Sequence, residues 1–223
     1  MPLALLLLAA CRSLPPAPAP GTPPGEIHPA PGAIAYAVNP ARSELRVLVY
    51  RAGALAAFGH NHVLLNRQLR GTIYWHAEPA QTRFSLQLPV AAFTVDEPAA
   101  RAEEGDAFAS QPDAEAIAGT RANLLGPAVL DAAHYPLITI RSIAIQGPAW
   151  QADVTAAITL HGVTRQISVP VAVFKQAASL TASGGFSLKQ SDFGIAPFSI
   201  LGGAIQVQDE IRVRFRLQAD ALQ

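Results

Sequence analysis

The chain has 223 residues, half of them apolar, and balances 16 basic against 16 acidic residues. That apolar content can build a sizeable core in one large domain or two small ones, which excludes disorder along the whole length. Zero net charge, with no Lys/Arg cluster longer than a pair, excludes a protein that binds nucleic-acid phosphates by displacing counterions.

The first residues, MPLALLLLAACRS, form an apolar run ending in small side chains. It is far short of the roughly 20 residues needed to cross a bilayer, but it suits the apolar region of a signal peptide. Leu8-Ala9-Ala10-Cys11 resembles the lipobox of bacterial lipoproteins, although no Lys or Arg precedes the run. The resemblance implies that residues 1–10 are removed and that Cys11 carries the lipid. The protein would then sit on the periplasmic side of the cell envelope, anchored to a membrane. Arg12, standing where an Asp would retain an enteric lipoprotein at the inner membrane, favours the outer one by the same resemblance, but the choice stays open. Cys11 is the only cysteine, so no intramolecular disulfide can form. Residues 11–33 are expected to act as a tether: PPAPAPGTPPGEIHPAPG has almost nothing to bury and should be semi-extended over several nanometres.

From about residue 34 the pattern changes to period two, the mark of half-buried strands. Leu45, Val47 and Val49 alternate with Glu44, Arg46 and Leu48. Phe84, Leu86, Leu88 and Val90 alternate with Arg83, Ser85, Gln87 and Pro89. The same holds for the even positions of 150–160, the odd positions of 167–173 and the odd positions of 211–217. Further strands are expected near 69–76, 137–145, 180–188 and 204–208. One helix is expected over 112–125, opening on Pro, Asp and Glu and stopping before Gly126-Pro127. Many strands, short turns and no helices between strands predict a single antiparallel all-β barrel or sandwich over 34–221.

The segment FGHNHVLL at 58–65 places His60 and His62 on one side of a strand, with Asn61 pointing away. Imidazoles suit zinc, copper or iron, and a third ligand would have to come from His161 or His134. No third His, carboxylate or thiol stands at a diagnostic spacing, so the pair is expected to be structural, at a barrel mouth. A metal-binding or redox role for His60 and His62 is the alternative. Three letters do not make an HNH nuclease, whose histidines lie far apart. Ser191-Asp192 lacks a recognisable nucleophile arrangement; Asp192 is expected to cap a turn, and His161 to bond backbone at a hairpin end. Arg212, Arg214 and Arg216 form a basic stripe expected on a solvated face, within reach of anionic lipid.

Several segments together resemble the YceI-like family of bacterial polyisoprenoid-binding proteins. They are Gly59-His60 followed by Leu69-Arg70-Gly71-Thr72-Ile73; 123–131 with Tyr135-Pro136 and the strand to Ser142; Ile158-Thr159-Leu160-His161-Gly162-Val163-Thr164-Arg165; and Ser191-Asp192-Phe193-Gly194-Ile195. The resemblance implies a lipocalin-like barrel of about eight antiparallel strands that takes an isoprenoid lipid, polyprenyl or quinone-type, as a membrane-anchored carrier or sensor. The expected ligand contacts are Ile158, Leu160, Val171, Val173, Phe84 and Leu86 on the apolar strand faces. No enzyme activity and no cofactor are expected. The partners would be the lipid and the membrane, not nucleic acid, and a homodimer is left open. Periodicity cannot tell a hollow barrel from a filled one.

Overall fold

In the computed structural model, residues 27–148 and 150–222 are described; Cys11, residues 1–10 and most of the Pro-rich stretch lie outside them. The elements in chain order are β1 (Ile34–Val38), β2 (Glu44–Val49), β3 (Arg51–Ala52), β4 (His62–Asn66), β5 (Arg70–Trp75), β6 (Arg83–Pro89) and β7 (Thr94–Val95). Then come α1 (Pro98–Ala102), α2 (Ala114–Leu125), β8 (Leu137–Gln146), β9 (Gln151–Leu160), β10 (Val163–Gln176), β11 (Ser179–Lys189), β12 (Ser199–Ile200), β13 (Ile205–Val207) and β14 (Glu210–Ala221).

Strands β1-β5-β6-β8-β9-β10-β11-β14 pair in that order, and β14 returns to β1, which closes an antiparallel barrel of eight strands. The lipocalin-like architecture expected from the sequence is therefore the one observed. At the upper rim, where β14 begins, its first half pairs instead with β2, followed by β4 and β7. The cause is a break in two strands. Pro40 cannot donate to a ladder, and a turn of 3-10 helix at Pro40–Arg42 separates β1 from β2. Ser43 patches the break: its hydroxyl donates to the Asn39 carbonyl at 2.7 Å and accepts the Gln218 N–H at 3.0 Å. Between β4 and β5 the buried Asn66 does the same, donating to the Pro89 carbonyl and accepting the Gln68 N–H, each at 2.9 Å. Each kinked strand thus serves the main ring with one half and a splayed upper flap with the other.

The outer face of that flap is not solvated. Leu48, Val63 and Leu65 point outward and are buried beneath Ala100 and Phe108 of the segment after β7. This explains why Leu48 breaks the alternation of β2 and why 63–65 is apolar on both faces. Glu104 clamps the same segment to the wall, accepting from Arg46 at 2.7 Å and from Arg214. One member of the expected basic stripe is accordingly paired, and Arg212 lies over the Tyr50 ring at 5.4 Å. The helix α2 forms where expected, with Asp113 as N-cap accepting the Ala116 N–H at 2.8 Å; α1, a single turn, was not foreseen. The segment near 204–208 is not a barrel strand, because β13 joins β12 and β3 in a separate small sheet at the upper rim.

Candidate functional site: two chambers and a buried charge network

The inward side chains of the barrel do not fill it. Two cavities lie in series along its axis, about 190 Å³ in the upper half and about 130 Å³ in the lower. Leu45, Ile140, Ile158 and Phe186 line both and form a waist between them. The small inward residues Ala152, Ala156 and Ala182 leave the space of the lower chamber, where larger side chains would close-pack as in an ordinary core. That chamber has a wholly apolar surface and extends to Trp75 and Pro79 at the lower rim. The upper chamber is bounded by α2 on one side and by Ile195, Phe198 and Val207 on another. Its surface is largely apolar too, but His62, Thr120, Asn123 and Gln190 reach it.

All six residues named from the strand periodicity face these spaces. Leu160 borders the upper chamber, Ile158 the waist, and Phe84, Leu86, Val171 and Val173 the lower chamber. Sequence reasoning missed the upper chamber's other walls, Phe93, Leu124, Val129 and Leu130, since these come from irregular segments or from α2 with no strand period to read.

The histidine segment resolves into a hydrogen-bonded network. Nδ1 of His62 lies 2.6 Å from a carboxylate oxygen of Asp96, which is wholly buried. The same carboxylate accepts the Val63 N–H at 2.9 Å and the Arg101 guanidinium at 2.5 Å. Burial by itself would raise the Asp96 pKa; the hydrogen bonds from His62 and Val63, and then Arg101, overcome that and hold it below its ordinary value. Arg101, also buried, donates further to the Asn61 carbonyl at 2.7 Å and to the Ser110 carbonyl at 2.6 Å. With Nδ1 committed to Asp96, Nε2 is the nitrogen that His62 has left for an occupant of the upper chamber.

His60 precedes β4 and does not share this arrangement. Its Nδ1 sits 3.4 Å from the Ser110 hydroxyl, and its ring centroid is 6.4 Å from that of His62. Asn61, between them, turns away to accept the Arg51 N–H and to donate to the Ala107 carbonyl. His134 bonds Asp131 at 2.8 Å. Instead of bonding backbone, His161 occupies the tight β9–β10 turn at φ +51° and packs edge-on against Tyr135, with centroids 4.9 Å apart. Among the described residues, no three His, Cys, Asp or Glu side chains are grouped so as to hold a metal ion. The turn at 190–193 is capped by Asp209, which accepts from the Ser191 N–H and hydroxyl at 2.8 and 2.6 Å; Asp192 does not cap it, because the residue brought alongside by the β11–β14 pairing has the better approach.

The sequence profile of the YceI-like domain matches residues 36–219, essentially the whole barrel. The chain belongs to the YceI-like family. Its barrel superposes on BcnA of Burkholderia cenocepacia with a TM-score of 0.61 at 21% identity, over 81% of this chain and 98% of that one. A polyisoprenoid binding domain from Saccharophagus degradans, implicated in plant cell wall breakdown, gives 0.57 at 15% identity, over 85% and 99%. The YceI protein of Campylobacter jejuni gives 0.53 at 14%, over 71% and 84%. No curated protein matches the sequence. At these identities the solved structures share the YceI-like fold; the chambers and the Asp96 network belong to this chain's own residues.

Proposed function

We propose that this YceI-like barrel binds one isoprenoid lipid, of polyprenyl or quinone type, along its axis, as a carrier or sensor anchored to the membrane through Cys11 on the periplasmic side. The observation that carries the reading is the arrangement of two apolar chambers in series, with polar groups presented to the upper one only; the Thr82 hydroxyl beside the lower one is turned to the His76 backbone. A long, thin, branched hydrocarbon fits such a shape, and its burial is favourable by roughly 25 cal/mol per Å² of apolar surface without any catalytic group. The polar end of the ligand belongs at His62, Asn123 and Gln190, where hydrogen bonds can be made; the tail passes the waist at Ile158 and Phe186 toward Phe84, Leu86, Val171 and Val173. The Saccharophagus domain of the same fold, described as polyisoprenoid binding, supports the ligand class.

Protein purified from its own membrane and examined by native mass spectrometry should carry a stoichiometric prenyl lipid that solvent extraction releases. Recovery of apoprotein only, together with no uptake of farnesol or a longer prenyl alcohol added to it, would defeat the proposal.

A further inference from the structure

The small sheet of β12, β13 and β3 places two loops side by side at the upper rim. Residues 52–59 and 193–207 contain no Asp, Glu, Lys or Arg. They expose Phe58 by 76%, Leu201 by 69%, Ile200 by 46%, Leu55 by 40% and Phe198 by 37%. The loops are joined by β13 pairing with β3 and by the Leu55 N–H donating to the Ala204 carbonyl at 2.8 Å. Gly53, at φ +95°, allows this approach, since a Cβ there would lie 2.4 Å from the Ala204 oxygen. Leu201, Gly202 and Gly203 all hold positive φ, at 52°, 66° and 92°. For a leucine this backbone is strained, and what the strain achieves is to present an apolar side chain to water at the tip of a loop.

A contiguous apolar patch with no charge in its loops requires a covering phase. Two features of the surroundings identify it. Phe198 and Val207 belong both to this lip and to the wall of the upper chamber, so the patch runs without interruption into the ligand space. Directly behind it, the exposed Arg51 donates to the Ala57 and Gly59 carbonyls at 3.3 and 2.7 Å. That fixes a cation on the backbone of the lip itself, beside Phe58, where it can meet lipid phosphates when Phe58 and Leu201 enter the acyl boundary.

We propose that this lip is a docking surface for a phospholipid bilayer, through which the ligand passes between membrane and upper chamber. The inference rests on the reading of the chambers as a lipid site. The chain enters the barrel at the opposite, lower rim, where Ile34 pairs with Trp75. Fifteen residues separate Cys11 from the described chain, and a chain of that length can span up to about 50 Å at about 3.3 Å per residue. The 12 residues of β14 span about 40 Å at about 3.3 Å each. A molecule tethered at residue 11 can therefore turn its lip onto the membrane that anchors it.

The test uses the chain from residue 11 onward with Cys11→Ser in every sample, so that neither an acyl anchor nor the apolar leader contributes, and vesicles of equimolar phosphatidylethanolamine and phosphatidylglycerol. Replacing Phe58→Ser and Leu201→Ser together should lower vesicle binding about tenfold or more. Thermal unfolding and farnesol binding should stay unchanged, because both side chains are exposed and neither lines a chamber. Trp150→Ser with Phe174→Ser, at the lower rim, should leave vesicle binding as in the parent. The proposal is overturned by a parent that ignores vesicles, by equal vesicle binding in the lip variant, by an equal loss in the lower-rim variant, or by a parent dimer that only the lip variant dissociates. Failure of farnesol to bind, with the vesicle result intact, would remove the ligand reading and leave the docking surface.

Discussion

Asp96 gathers donors from two sides of the upper flap: His62 and the Val63 N–H from β4, and Arg101 from the covering segment. Its own φ of +54° lies in the left-handed region, a backbone cost offset by three hydrogen bonds to a buried carboxylate. Breaking a buried pair from one side leaves the partner charge uncompensated, so Asp96→Asn should destabilise the fold by about 3 kcal/mol in urea unfolding. The pH dependence follows from the lowered Asp96 pKa. Its stabilisation is complete above the ordinary carboxylate value of about 3.9 and is lost as pH falls through the depressed folded value. The acid limb of unfolding free energy against pH should consequently be flatter in Asp96→Asn than in the parent; parallel limbs would remove Asp96 as its cause. At His60 and His62 the expectation divides. His60→Ala loses one long contact and should cost at most about 1 kcal/mol, whereas His62→Ala strips a donor from the buried carboxylate and should cost about twice that. Elemental analysis of the untagged protein should find no stoichiometric zinc, copper or iron that both variants lose; finding one would move the segment to the metal-binding alternative.

At the scale of elements, β5 shows how one residue sets a strand pair. Gly71 has φ +142°, and a Cβ at this position would come within 2.1 Å of the Ser85 carbonyl oxygen and 2.8 Å of the Leu86 Cα on β6. These are backbone atoms of the ladder, so no side chain can yield to make room. Gly71→Ala should cost about 2 kcal/mol or more and speed amide exchange first in β5 and β6; exchange that accelerates evenly across the barrel would contradict this local account. Ser142 serves a neighbouring need. Pairing of β8 with β9 slips between Ser142 and Ala144, and the Ser142 hydroxyl accepts the Phe84 N–H at 3.0 Å.

At the scale of the whole molecule, the waist decides what length of hydrocarbon the barrel can hold. Phe186 borders both chambers, and Phe186→Ala should join them at a cost in stability of about 3 kcal/mol. In a series of prenyl alcohols of increasing length, the longest one retained should then lengthen; an unchanged cut-off would show that the tail does not cross the waist. Anchoring belongs to the same scale. Several acyl chains on Cys11 would hold the protein far more firmly than one, which gives only marginal residence. Cys11→Ser should shift the protein from the membrane fraction into a soluble or unprocessed one, and unchanged partition with unchanged mass would exclude lipidation.

The longer strands are legible in the sequence because burial on one face imposes a period of two that no other element produces; β1, which closes the barrel, and the two-residue strands β3, β7 and β12 are too short to show it. The period alone therefore places Phe84, Leu86, Val171 and Val173 on inward faces without any strand order. Motifs with local chemistry were equally readable: Asp113 opening α2 before Gly126-Pro127, and the tight turn at His161-Gly162. What the residues alone did not settle was whether those inward faces meet, which depends on closure of β14 onto β1, the last barrel strand onto the first, through the pairs Tyr36–Ala221, Ala37–Asp220 and Val38–Ala219, and on the combined volume of side chains from eight strands. The partner of His62 was hidden for the same reason, since Asp96 stands 34 residues away and only the pairing of β4 with β7 brings it alongside. Periodicity reports which way a side chain points; what it meets there, a neighbour, a carboxylate or an empty chamber, is fixed by contacts between segments far apart in the chain.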